Sequence, residues 1–169
     1  MSKLEILLSQ YGKYHRSRKN ILTHFFGIPL IVLAIVGLTF VPLWQVSGIT
    51  ITLSALLGVI LCLYYLFLSP LFALMMSIVI AGFYYTVFIV NPMLIEVEIA
   101  TTLFWAGMFF VGWVLQFIGH YFEGKKPAFV DDLIGLAIGP LFVLVEFLFL
   151  LGLFKELENT IINNAGEYK

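Results

Sequence analysis

Long apolar runs, broken at a few proline, glycine and polar positions, dominate the chain and predict helices that cross a lipid bilayer. The first element is of another kind. Over residues 2–14, Leu4, Leu7, Leu8 and Tyr11 recur at intervals of three and four, which places them on one helical face. Ser2 and Glu5 have the spacing of a capping box, in which each side chain satisfies a backbone donor at the helix start. The expected element is an interfacial helix whose apolar stripe lies on lipid or docks on the bundle. Five apolar stretches follow, at 25–43, 49–68, 71–90, 99–119 and 133–153, each near the ~20 residues that carry a helix across about 30 Å of hydrocarbon. Pro42, Ser69-Pro70 and Asn91-Pro92 are read as turns between them, because proline lacks the donor that continues a helix and biases its predecessor toward extended backbone. The expected fold class is all-α, a multi-pass transmembrane helix bundle forming one domain over 1–169. Within it lie a basic interfacial segment at 1–19, the bundle at 20–153 and a polar tail at 154–169.

Composition agrees on the solvent. Of 169 residues, 62% are hydrophobic and 11% charged, with a mean hydropathy of +1.05, whereas a soluble domain carries about 25% charged residues. Between Lys19 and Glu123 only Glu96 and Glu98 are charged, a stretch far too long for one buried helix. The net charge of -1 conceals a cluster, since Lys3, Lys13, Arg16, Arg18 and Lys19 all precede the first apolar run. A basic group in that place suits anionic lipid headgroups. Nucleic acid is not an expected partner, because its footprint is a basic face on a soluble fold. Cys62 stands alone, which excludes an intrachain disulfide and a cysteine-rich metal site. The opening stretch is polar and amphipathic, so no cleavable signal peptide is expected.

The positive-inside rule puts the N-terminus on the cytoplasmic side, of the inner membrane in a bacterium or of the endoplasmic reticulum in a eukaryote. The uncharged turn at 46–48 and the acidic turn at 91–98 then fall on the far side, and four crossings return Lys125 and Lys126 to the near one. Gly139-Pro140 and Glu146 interrupt the last stretch, which either spans or enters and turns back.

All three histidines, His15, His24 and His120, fall at or beside the cytoplasmic ends of these spans. After four crossings His24 and His120 share one depth. His15 and His24 would point to opposite sides of a straight helix, so they face one site only if the chain bends between them, and the charged run at 16–19 is a plausible place for a bend. Polar groups accompany them at helical spacing: Asn20 four before His24, Gln116 four before His120, and Glu123 three after it. Imidazole binds Zn, Fe, Cu and Ni, and many nonhaem ferrous sites use two histidines and a carboxylate with positions left open. His24 and His120 with His15, Glu123 or Asp131 fit that pattern, and Asn20 and Gln116 would fix ring orientation. The alternative is that interfacial histidines bond water, headgroups or carbonyls. Glu146, in an apolar run, is either a neutral bonded acid or a proton-handling group.

Two segments carry a family resemblance. The first is Tyr14-His15-Arg16-Ser17-Arg18-Lys19-Asn20-Ile21-Leu22-Thr23-His24, running into Ile28-Pro29. The second is Gly112-Trp113-Val114-Leu115-Gln116-Phe117-Ile118-Gly119-His120, then Phe122-Glu123 and Lys126-Pro127-Ala128. The order of Asp131, Pro140 and Glu146-Phe147 fits as well. Together they resemble the 2-hydroxy fatty acid dioxygenases of yeast phytosphingosine breakdown. The resemblance implies a multi-pass membrane enzyme that uses Fe(II) and molecular oxygen to convert a long-chain 2-hydroxy fatty acid to the acid one carbon shorter, a fatty acid alpha-oxidation. It gives His15, His24 and His120 the iron-binding or catalytic role and Asn20, Gln116, Glu123 and Glu146 a supporting one, while spacing alone keeps Glu123 among the candidate ligands and Asp131 beside them. Arg16 stands where the yeast protein has a second adjacent histidine, and the segment from His120 to Pro127 is one residue shorter.

The residues suit that chemistry. The alkyl tail would lie among apolar helices and the carboxylate at the interface, where Arg16, Arg18, Lys19, Lys125 and Lys126 offer positive charge. Hydroxyl and carboxylate oxygens together would chelate the metal beside the bond between carbons 1 and 2. Other classes compete: a small transporter or channel built on Gly139-Pro140 and Glu146, a membrane-shaping structural protein with unligated histidines, and bis-histidine haem ligation.

Overall fold

The computed structural model of the protein describes residues 1–127 and 134–169, so Asp131 lies outside the described residues. The elements are α1 (Lys3–Gly12), α2 (Arg18–Leu38), β1 (Pro42–Val46), β2 (Ile49–Thr52), α3 (Leu53–Leu68), α4 (Pro70–Glu96), α5 (Thr101–Glu123), α6 (Gly135–Leu150) and α7 (Lys155–Ala165). The fold is helical, and among the described residues α2, α4 and α5 are long and apolar enough to cross a bilayer. A fourth candidate is the pair α6 and α7, bent by 118° across a short break.

The departures from expectation have local causes. Residues 42–52, read as the end of one span and the start of another, form an antiparallel hairpin with Val46 opposite Ile49. Ser47 and Gly48 both have positive φ, 51° and 82°, the two-residue turn whose twist matches paired strands, and the Ile-Thr-Ile-Thr alternation that follows favours extended backbone. Thr52 then caps α3 by accepting from the Ala55 N–H, which leaves α3 with 16 residues. Asn91-Pro92, read as a turn, lies inside α4. Proline deletes one backbone donor there, and the apolar run beyond it continues the helix, the backbone form that needs no water. The segment expected as a polar tail is mostly α7, which follows Gly152 and Phe154 at φ of 77° and 55°.

The backbone divides into two compact units. One comprises residues 30–111. Its core is Val36, Val87 and Trp105, the indole resting against Gly37 where any Cβ would collide with the ring, and its N–H donating to Asn91 Oδ1 at 2.8 Å. α3 and α4 pack along one another in this unit.

The other unit comprises residues 1–29 and 112–169. The capping box of α1 is formed, with the Ser2 N–H donating to Glu5 Oε2 at 2.9 Å and the Glu5 N–H to Ser2 Oγ at 3.2 Å. Leu4, Leu8 and Tyr11 are buried because α1 lies against α6 and α7. Of the two placements open to the apolar stripe, it takes the protein rather than lipid.

Candidate metal centre

Three segments deliver one histidine each. α1 stops at Gly12, and the turn that follows carries His15, whose N–H donates to Gly12 O at 3.0 Å. α2 begins at Arg18 and presents His24 in its second turn; α5 presents His120 in its last. α2 and α5 run antiparallel here and touch at glycines: a Cβ on Gly119 would collide with Thr23 Oγ1 and Asn20 Oδ1, and one on Gly27 with Gln116 Nε2. Small residues at such a seam let helix backbones approach closely, and this one sets His120 beside His24.

The three imidazoles meet. Their ring centroids lie 4.6, 4.9 and 5.1 Å apart, and one nitrogen from each falls within 4.8 Å of the others. Relative exposures are 0% for His15, 1% for His24 and 6% for His120. The bend between His15 and His24 that the sequence required is the turn before α2, and it brings their Nε2 atoms to 3.0 Å.

Hydrogen bonds fix the tautomers. His15 Nδ1–H donates to Tyr11 O at 2.8 Å, and His24 Nδ1–H donates to Asn20 O at 2.9 Å. A carbonyl oxygen only accepts, so both protons sit on Nδ1 and both Nε2 atoms carry lone pairs. Burial first, then the neighbouring His24, hold the His15 pKa well below the usual histidine range, so its ring is neutral. Two lone pairs therefore face each other at hydrogen-bond distance with no proton between them. The His120 Nδ1 is buried with no hydrogen-bond partner among the described residues. A cation would satisfy the two facing nitrogens: two nitrogens each about 2.1 Å from one ion and at right angles lie about 3.0 Å apart. The residues present fit a metal ion of the kind that imidazole favours.

The remaining expected residues divide. Glu123 is not in the histidine cluster. Its carboxylate accepts from the Arg16 N–H at 3.0 Å, the Ser17 N–H at 2.7 Å and Asn20 Nδ2 at 3.1 Å, so it anchors the turn that carries His15 and the start of α2. Asn20 orients His24, through its carbonyl rather than its side chain. Gln116 is buried against Gly27 with Nε2 unpartnered among the described residues. Arg16, expected to meet substrate, is buried: its Nε donates to Gly12 O and Nη1 to Gly166 O, and Nη2 lies 3.7 Å from Glu146. Glu146 also accepts from the Tyr168 hydroxyl at 3.1 Å. Lys125 Nζ donates to Lys13 O, and Lys19 Nζ lies 5.4 Å from the Phe122 ring centroid. Lys126 is exposed. Arg18 is exposed beside a cavity of about 400 Å³, whose lining includes Leu22, Phe25 and Phe149.

Sequence reasoning missed Tyr11 and Tyr168. Tyr11 supplies the carbonyl that orients His15 and stacks on its ring at 4.2 Å and 5°. The signal was available, since Tyr11 precedes His15 by four residues, as Asn20 precedes His24. Tyr168 left no periodic signal in the tail.

No solved structure matches the chain. The 2-hydroxy-palmitic acid dioxygenase MPO1 of Saccharomyces cerevisiae is 32% identical over 158 residues, covering 91% of this chain and 84% of the yeast protein. Residues 1–151 match the family described as 2-hydroxy-palmitic acid dioxygenase Mpo1-like, a span that holds all three histidines. The chain belongs to the Mpo1-like family.

Proposed function

We propose that the protein is a membrane 2-hydroxy fatty acid dioxygenase in which His15, His24 and His120 hold Fe(II), and that it converts a long-chain 2-hydroxy fatty acid to the acid one carbon shorter. Family membership supports the reaction class. The observation that carries the metal is the 3.0 Å approach of two Nε2 atoms whose protons are committed to carbonyls on the far side of each ring. Bound there, ferrous iron would supply the redox chemistry that joins oxygen to the substrate.

The chain's own residues do the rest. Three neutral imidazoles add no negative charge, so a dication keeps its charge and favours an anionic ligand, the carboxylate of a 2-hydroxy acid. Burial of all three rings excludes bulk water from the centre. Tyr11 O and Asn20 O hold two rings in the metal-binding tautomer. Gln116, one turn from His120, offers an uncommitted buried amide to a polar group beside the centre. Arg18 offers the carboxylate an exposed cation, and Leu22, Phe25 and Phe149, which share the cavity beside it with Glu146 and Glu158, take part of the alkyl chain. Lys19, Lys125 and Lys126 add positive charge at the same interface.

The same site favours a topology. His24 opens one antiparallel helix and His120 closes the other, so an even number of crossings runs from α2 through α5. With α2, α4 and α5 long enough, the shorter apolar α3 would supply the fourth, and the basic N-terminus supports a cytoplasmic location for this end.

The test is turnover. Detergent-purified protein is loaded anaerobically with Fe(II), then given 2-hydroxypalmitic acid and oxygen, with products resolved by mass spectrometry. Iron-dependent pentadecanoic acid is expected. Stoichiometric bound iron without that product overturns the substrate, and absence of both overturns the metal.

A further inference from the structure

The segment at 166–169 lies beyond the residues that match the family and folds back onto the turn carrying His15. Its contacts are specific. The Lys169 N–H donates to Arg16 O at 2.8 Å and the Arg18 N–H donates to Lys169 O at 3.1 Å, so Lys169 brackets the residues that follow His15 with a two-bond ladder. Gly166 O accepts from Arg16 Nη1 at 3.0 Å. The Tyr168 ring lies under the Arg16 guanidinium, 4.6 Å from its centroid, and its hydroxyl donates to the Glu146 carboxylate, which also faces Arg16. Arg16 turns these contacts back onto the histidine turn, because its Nε donates to Gly12 O and His15 O at 2.7 and 3.0 Å.

We infer that this segment is a strap that positions His15, with Tyr168 and Arg16 as the positioning residues and Glu146 as their buried anchor. Lys125 Nζ on Lys13 O and Asn20 Nδ2 on Tyr14 O hold the start of the turn at 13–17, and two further groups hold its end. Glu123 of α5 holds the N–H groups of Arg16 and Ser17, and the strap holds the Arg16 carbonyl and side chain. His24 and His120 sit on helices that touch directly at Gly119 and so keep their relation without the strap. Of the three rings, His15 alone lies outside a helix, and it depends on whatever holds that turn. Arg16 and Glu146 form a buried pair whose geometry the Tyr168 hydroxyl completes, and removal of one member of such a pair leaves the others poorly compensated. This inference rests on the proposed metal centre only for its metal readout.

The first readout needs no metal. The rate at which diethyl pyrocarbonate modifies each histidine is measured by peptide mapping in the metal-free full chain, in a variant lacking residues 166–169, and in Tyr168→Phe, with helicity checked by circular dichroism. Deletion is expected to raise modification of His15 at least tenfold while His24 and His120 change by less than threefold, and Tyr168→Phe to fall between deletion and parent. His15 staying as protected as in the parent, in a deletion variant of unchanged helicity, overturns the inference. If that deletion unfolds the chain, the Tyr168→Phe result decides alone. The second readout is Co(II) affinity and visible absorption, where the deletion is expected to weaken binding at least tenfold and shift the spectrum toward that of His15→Ala. A parent that binds no Co(II) defeats the metal reading and leaves the modification result standing; a parent and deletion variant that bind it identically defeat the strap.

Discussion

Glu123 separates two accounts of the site. If it were a ligand, Glu123→Gln would remove a metal bond; as an anchor it holds the turn before α2 and leaves the three imidazoles to bind the ion. Its carboxylate accepts from three donors, the N–H groups of Arg16 and Ser17 and the side-chain amide of Asn20. A hydrogen bond to a charged group contributes about 1.5–3 kcal/mol when buried; at a half-buried carboxylate, water recovers part of each, so ~1 kcal/mol per donor is the better figure. Its charge lies at the start of α2 and at the end of α5, so the two helix dipoles act on it in opposite senses and largely cancel. Glu123→Ala should therefore cost about 3 kcal/mol of stability, and Glu123→Gln, which keeps one oxygen but no charge, about 1–2 kcal/mol. The assay is equilibrium unfolding of the metal-free protein in mixed micelles, paired with Co(II) titration of each variant. Both variants should still bind Co(II) with a three-nitrogen spectrum, weakened at most about 100-fold for Glu123→Ala if ~3 kcal/mol of ordering must be supplied by binding. A Glu123→Gln protein of parental stability that no longer binds Co(II) would refute this reasoning and return Glu123 to the ligand set.

Other outcomes follow from the same geometry. His120→Ala should abolish turnover while helicity stays at the parental level, and full activity in that variant excludes it as a ligand. Gly119→Ala should force α5 away from Thr23 and Asn20, costing about 1–3 kcal/mol as overpacking does; a parental unfolding midpoint would show that the seam yields freely. Arg18→Gln should raise the KM for a 2-hydroxy acid several-fold with little change in kcat, and a parental KM removes Arg18 from substrate capture. Burial first, and then the charge on Glu146, push the Tyr168 pKa above its ordinary range. The folded chain thus keeps a proton that the unfolded chain releases near pH 10, so this group's stability is present below about pH 10 and is lost as pH rises. Tyr168→Phe should flatten that alkaline decline relative to the parent in pH-dependent unfolding, and an unchanged slope contradicts the assignment.

The helices and the histidines were legible in the sequence for different reasons. Apolar runs near the bilayer's thickness announced α2, α4 and α5, and the capping-box spacing of Ser2 and Glu5 announced α1. The hairpin was not, because Ile49 and Ile51 join the apolar run of the helix that follows, and the Ile-Thr alternation and the turn at Ser47-Gly48 are short signals beside it. Asn91-Pro92 misled for the opposite reason, since proline removes one donor without ending a helix whose surroundings offer no water. His24 and His120 could be matched in depth by counting crossings, yet the partner of each Nδ1 is a backbone carbonyl, to which side-chain identity is silent. Arg16 was misplaced because charge near an interface suggests substrate, and only the fold reveals Glu146 and Tyr168 waiting for it.

The distance in sequence between the imidazoles bears on how the molecule is made. His15 and His24 leave the ribosome close together, whereas His120 follows nearly a hundred residues later. Until α5 has entered the membrane and turned its end toward α2, the nascent chain holds only two of the three nitrogens. If the three imidazoles hold an ion as proposed, its tight capture waits until the intervening helices are inserted, and the ion then acts as a clasp between the earliest and the latest of these events.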